Sequence, residues 1–253
     1  MEQIATIRKR VAVVVDGIVA NFGSDSFPRK EEEIKEALHG SEIVFVVVTI
    51  CDKTKIDIAS VVAKTAKQAG ALTITIVSKE CSFEENQNVK FSKKALTRLK
   101  NCSDSIFFIN SNEPTQIINT ILEMMSNNEN DINFDTEDAK TIMCNSRFAF
   151  ISSNEKVGEN AAQEAIKSAI ESIASHNVSI NGAMGVLVSF NMHPNFSIME
   201  ICIAMATLQD SVHEDTEIIF GTSSDENLPT DFIRATVIAT GFEGKNRITV
   251  NKI

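Results

Sequence analysis

The sequence predicts an α/β protein in which a parallel sheet buried on both faces is followed by an α+β region with a mixed sheet. Two observations carry this expectation. Short runs rich in valine and isoleucine alternate with segments of helical period in the first half, and after Asn110 the alternation becomes less regular. Of the 253 residues 43% are hydrophobic, which suffices for one large domain or two small ones.

Val11 to Val15, Ile43 to Thr49, Leu72 to Val77 and Ser105 to Asn110 are short, apolar and β-branched, and are read as strands. Helices are expected between them at Glu31 to Leu38 after Pro28, at Ile56 to Gln68 before Gly70, and at Phe91 to Leu99. In such a βαβαβ succession right-handed crossovers place helices on both sides of the sheet, and ligands sit at the carboxyl ends of the strands. Pro114 opens a further helix through Met125, and the polar stretch Ser126 to Asp131 follows. Domains are therefore drawn at 1–112, 113–130 (central helix and linker) and 131–253. The last should hold helices near Ala161 to Ile173 and Ile198 to Val212, with strands near Gly185 to Phe190, Glu217 to Phe220 and Ile233 to Ala239.

Composition excludes several functions. A net charge of −10 with scattered basic residues disfavours nucleic acid, and base stacking would fall to phenylalanine because tryptophan and tyrosine are absent. Charged residues interrupt every apolar stretch within the roughly 18 residues that a membrane span needs. Arg8-Lys9-Arg10 precede only the short run Val11 to Val15, unlike an export signal, so a cytoplasmic protein without direct membrane insertion is expected. Five cysteines, at 51, 81, 102, 144 and 202, form no CxxC spacing; they indicate neither disulfides nor zinc and are read as buried thiols. His193 beside Pro194 and His213 beside Glu214 lack ligand partners at local spacing, so they are read as surface turns and no metal site is expected. Met124-Met125 and Met199 to Met205 are read as core fillers.

Several segments, taken in order, resemble the FtsZ family of tubulin-like cell-division GTPases. Asn133-Phe134-Asp135-Thr136-Glu137-Asp138, followed by Ala139-Lys140-Thr141-Ile142-Met143, is similar to the family's synergy loop, NLDFADVKTVM. Gly158-Glu159-Asn160, Ile180-Asn181-Gly182-Ala183-Met184-Gly185-Val186-Leu187, Ile218-Ile219-Phe220-Gly221 and Thr236-Val237-Ile238-Ala239-Thr240-Gly241-Phe242 also recur in family order. The resemblance runs from about Gly40 to Phe242. It implies a tubulin/FtsZ-like fold with a reduced Rossmann-like N-terminal domain, a central helix and an α+β C-terminal domain.

Gly40 to Phe45 and Ala69 to Thr73 resemble the flanks of the family's glycine loop, GGGTGTG. Ungapped counting lands that loop on Cys51-Asp52-Lys53-Thr54-Lys55-Ile56-Asp57, where only Thr54 matches. In the family the glycines let backbone N–H groups close on phosphates at a helix N-terminus. Here side chains would block that approach. Asp52 and Asp57 would set negative charge against a triphosphate, at roughly 4 kcal/mol per pair at about 4 Å, partly offset by Lys53 and Lys55. The segment is thus either a remodelled pocket or a plain strand-to-helix turn. The first glycine loop is also missing after Val15, where Asp16-Gly17-Ile18-Val19-Ala20 stands, and Asn21 to Pro28 faintly resembles GLGAGANP. Deletions are expected there and after Ser111-Asn112-Glu113, which resembles the PND turn; the second would remove the residues that embrace guanine. Nothing after Asn251 resembles the family's linker and terminal peptide, so tethering by membrane adaptors is not expected.

The resemblance implies that Asn133, Asp135 and Asp138 act as catalytic residues in a neighbouring subunit's GTP site, positioning water and cation. Sequence position equally allows Asp135 to cap a helix whose dipole Glu137 and Asp138 complement. Glu137 stands where the family has a small apolar residue and would repel an incoming phosphate. The function expected is that of an FtsZ-like cell-division protein at the division site, with GTP binding lost and no cofactor. It would cap or modulate polymers of FtsZ or another FtsZ-like subunit and would not be an enzyme on its own. The alternative is a reduced GTPase that binds GTP and magnesium and self-associates into polymers. A structural role unrelated to division is the third reading.

Overall fold

The computed structural model describes residues 11–15, 18–21, 24–26, 31–49, 53–78, 96–109, 114–125, 132–144 and 146–242. The chain divides into two compact units, one of residues 1–122 with 143–147 and 253, the other of residues 123–142 with 148–252.

The first unit holds β1 (Val11–Val15), β2 (Ile18–Asn21), β3 (Ser24–Ser26), α1 (Glu31–Ala37), β4 (Ile43–Thr49), α2 (Lys53–Gln68), β5 (Leu72–Ser78), α3 (96–102) and β6 (Ser105–Ile109). Its strands lie in the order β3-β2-β1-β4-β5-β6. β1, β4, β5 and β6 run parallel, while β1, β2 and β3 form an antiparallel meander. Every residue of β5 is buried, which is why its sequence reads as one apolar and β-branched run instead of an alternation. α2 packs on β4 and β5 and buries Ile56, Ala59, Val62, Ala63 and Ala66, a stripe at helical spacing.

At the amino ends of β5 and β6 the buried carboxylate of Asp104 ties the layer together. It accepts the Thr73 N–H at 2.9 Å and pairs with Lys67 Nζ at 2.8 Å, while Cys144 Sγ donates to it at 3.5 Å.

Helix α2 begins at Lys53, three residues before the expected Ile56, and α3 runs past Leu99 to Cys102. The expected start of α3 at Phe91, and Asn110, lie outside the described residues. Strands β2 and β3 were not anticipated. Asn21, Ser24, Asp25 and Ser26 are poor strand formers, and the ladder begun on β1 supplies what propensity does not.

Helix α4 (Pro114–Met124) spans the boundary between the units. The second unit continues with α5 (Thr136–Met143), β7 (Arg147–Val157), α6 (Ala161–Ala174), β8 (Gly185–Met192), α7 (Ile198–Gln209), β9 (Glu217–Ser224) and β10 (Phe232–Thr240). Its sheet runs β7-β10-β8-β9, antiparallel except for the parallel pair β8 and β9. This is the mixed sheet the sequence predicts. β10 lies at its centre with Ile233, Ala235, Val237, Ile238 and Ala239 fully buried. α6 and α7 pack on each other, and their buried Ile166, Ile173, Ile201 and Leu208 share a core with Phe190 and Val237.

Strand β7 was missed in the sequence because Ser152-Ser153-Asn154-Glu155-Lys156 reads as a loop. It pairs with β10 along its length, and Arg234 forks onto Glu155 at 2.8 and 2.6 Å where the two residues face each other. Helix α7 stops at Gln209 instead of Val212, with Asp210 as C-cap. Its Met199 is 65% exposed and is no core filler, whereas Met124 and Met125 are buried. The cysteines also depart from expectation, since Cys144 and Cys202 are exposed and Cys102 is half-buried; Cys51 and Cys81 lie outside the described residues. Among the described residues no helix is long and apolar enough to cross a membrane.

Candidate functional site

The acidic segment 132–138 leads into α5 and belongs to the second unit. Asp135 is the N-cap. Its Oδ1 accepts the backbone N–H groups of Glu137 at 2.8 Å and Asp138 at 2.9 Å, and its own carbonyl accepts the Ala139 N–H. Asp138 Oδ2 reaches back to accept the Asp135 N–H at 3.0 Å. This is a reciprocal capping box with Asp at the third helical position, and it satisfies N–H groups that a helix start leaves without internal partners. The positive end of the helix dipole favours both carboxylates there.

The cap uses one oxygen of each acid. Oδ2 of Asp135 and Oδ1 of Asp138 make no hydrogen bond among the described residues. The capping role that sequence position allowed is therefore the one these bonds show. Asp135 and Asn133 are exposed and Asp138 is half-buried. Glu137 is 78% exposed and pairs with Lys140 Nζ at 3.0 Å, one turn on, which offsets the charge that the sequence set against a phosphate.

The base of the segment is held by β9. Thr222 N–H donates to Ile132 O at 2.8 Å, and Thr222 Oγ1 accepts the Ile132 N–H at 3.0 Å. The Phe134 ring, 1% exposed, packs beside Gly221 so closely that a Cβ there would lie 2.7 Å from Phe134 Cε2 and from Ile132 O. Sequence reasoning noted Gly221 only as part of a resemblance and missed Thr222 altogether. The available signal was a lone glycine inside a strand, which marks close approach of another backbone.

The second candidate region belongs to the first unit. Residues 50–52 lie outside the described residues, so Cys51 and Asp52 are not placed. Lys53 is the first residue of α2, Thr54 is exposed and Lys55 is half-buried. Asp57 sits in the second turn and forms an ion pair with Arg98 of α3, which offsets its charge. No glycine occurs between Gly40 and Gly70. The two histidines sit in turns: His193 Nδ1 accepts the Asn195 N–H, and His213 Nδ1 accepts the Asp215 N–H.

Residues 148–243 match the model of the FtsZ family, C-terminal domain. The chain is 31% identical over 250 residues to the cell division protein FtsZ of Helicobacter pylori strain J99, covering 90% of this chain and 64% of that one. It is 30% identical, with the same coverage, to the protein of that name from H. pylori strain 26695. The chain thus spans a little under two thirds of the length of these relatives. Among solved structures, an FtsZ dimer from M. jannaschii matches with a TM-score of 0.70 and 28% identity, over 86% of this chain and 68% of that one. GDP-bound monomeric CetZ1 from Haloferax volcanii shares the fold, with a TM-score of 0.64 at 13% identity over 88% of this chain and 74% of that one.

Proposed function

We propose, from the premise that this chain belongs to the FtsZ/tubulin family, that it acts in cell division as a non-hydrolysing partner of an FtsZ polymer. Its acidic loop docks at the GTP site of a terminal subunit, and its own strand-to-helix turn offers no GTP site to the next. The filament end is then capped.

The observation that carries this reading is the finished capping box at Asp135 and Asp138, with one oxygen of each acid still available. Residues 50–57 do not fit a triphosphate in the same way. Backbone N–H groups close on phosphates most readily where glycine lets the chain wrap, and here only Thr54 matches the family pattern. On this chain the work of the loop is positional: Asp135 Oδ2 and Asp138 Oδ1 would order a water or a cation belonging to the neighbour's site.

Calorimetric titration of the chain with GTP and magnesium is expected to give no heat of binding. Light scattering of FtsZ from the same cell should fall with added chain as filaments shorten, and unchanged assembly at stoichiometric amounts would reject capping. Identity near 30% to FtsZ over 250 residues favours the competing reading, a reduced GTPase that polymerises by itself. Micromolar GTP binding in the titration would establish that reading instead.

A further inference from the structure

We propose that Thr222 and Gly221 of β9 are positioning residues, which fix the acidic loop so that the carboxylates of Asp135 and Asp138 keep one orientation. The consequence for filament capping rests on the function proposed above; the positioning itself does not.

β9 is the last strand of its sheet, so one side of its backbone would ordinarily be left unpaired. At Thr222 that side is used for the loop. One residue holds both backbone groups of Ile132, its N–H donating to the Ile132 carbonyl and its hydroxyl accepting from the Ile132 amide, at 2.8 and 3.0 Å. Gly221 makes the approach possible. A Cβ at 2.7 Å from a backbone oxygen and from a ring carbon is closer than real side chains come, so any other residue must push Ile132 and Phe134 off the strand. Burial of Phe134 then anchors the residue directly before Asp135.

The far end of α5 is fixed to the same sheet. Thr240 Oγ1 of β10 donates to Ile142 O at 2.7 Å, and the Ile142 side chain lies against Gly185 of β8, where a Cβ would stand 3.2 Å from its Cγ2. Among the described residues the side-chain bonds of Asp135 and Asp138 are all to the N-cap and first turn of α5, so their orientation is inherited from these two anchors. Ile132 and Asp135 are three residues apart, a span of at most about 11 Å. Freedom at Ile132 therefore passes directly to the cap.

The test uses the whole chain with Thr222→Val, which keeps the shape and loses the acceptor, Thr222→Ser, which keeps the hydroxyl, and Gly221→Ala. Amide hydrogen exchange is followed at Ile132, Glu137 and Asp138, alongside thermal unfolding and FtsZ light scattering. Thr222→Val is expected to speed exchange at Glu137 and Asp138 about five-fold, the factor that one ordinary hydrogen bond supplies. Thr222→Ser should restore protection, and Gly221→Ala should accelerate the same two amides. Should Thr222→Val or Gly221→Ala unfold, exchange in the other decides. Unaltered protection at Glu137 and Asp138 in a folded Thr222→Val or Gly221→Ala protein would overturn the positioning role. Accelerated exchange in a chain whose wild type leaves filaments unaffected supports positioning and overturns capping alone. Weaker capping by Thr222→Val, rescued by Thr222→Ser, supports both.

Discussion

Asp135 uses its two oxygens differently, one bound to two backbone N–H groups and the other without a hydrogen bond among the described residues. A substitution that keeps the first and removes the charge of the second separates the roles. Asparagine caps helices about as well as aspartate, so Asp135→Asn should keep the thermal midpoint while, under the capping function proposed above, the shortening of FtsZ filaments is lost. Asp135→Ala should lose capping of the helix as well, at about 1 kcal/mol of stability. Full activity of Asp135→Asn in light scattering would assign this residue a purely structural task. The sequence exposed both possibilities, one through resemblance and one through position before a helix, but could not combine them, because the reciprocal bonds depend on which oxygen each carboxylate turns inward.

Among the elements, those with a strong period were legible and those made by pairing were not. β4, β5, β6, β8 and β10 stand close to their expected places because buried parallel or central strands demand continuous apolar runs. β7 was hidden by its polar second half, and β2 and β3 by their serines and asparagine. Helix α2, β5 and β6 meet at Asp104, a buried carboxylate that sequence alone gives no reason to place inside. Asp104→Ala would leave the Thr73 amide and the Lys67 ammonium without this partner. Lys67 is 31% exposed and water can take up its charge, so the main cost is the buried Thr73 N–H left without its acceptor, about 1 to 3 kcal/mol, and the urea midpoint should fall accordingly. A variant with wild-type stability would show that solvent replaces the carboxylate at no cost.

Among the described residues two groups are shifted, and each adds a pH dependence to the stability of the molecule. Asp225 is held below the ordinary carboxylate value by the backbone and then the side-chain N–H of Asn227, so its contribution is present above the ordinary value and is lost as pH falls through the folded one. The Cys102 thiol is pushed up by burial, against the lowering influence of Lys64 and Lys67. The unfolded chain ionises first as pH rises, so stability falls from the ordinary thiol range through the folded value. Thermal midpoints measured from acid to alkaline pH should decline at both ends, with Cys102→Ser flattening the alkaline decline; an identical alkaline limb in that variant would remove Cys102 as its cause. The sequence by itself determined the α/β class, the apolar cores and the order of family-like segments, because burial and helical period are written in local residue patterns. Only the tertiary structure decided that a threonine and a glycine some ninety positions away hold the acidic loop, and that Arg98 answers Asp57. Close approach and charge pairing depend on where the folded chain returns, which no local pattern records.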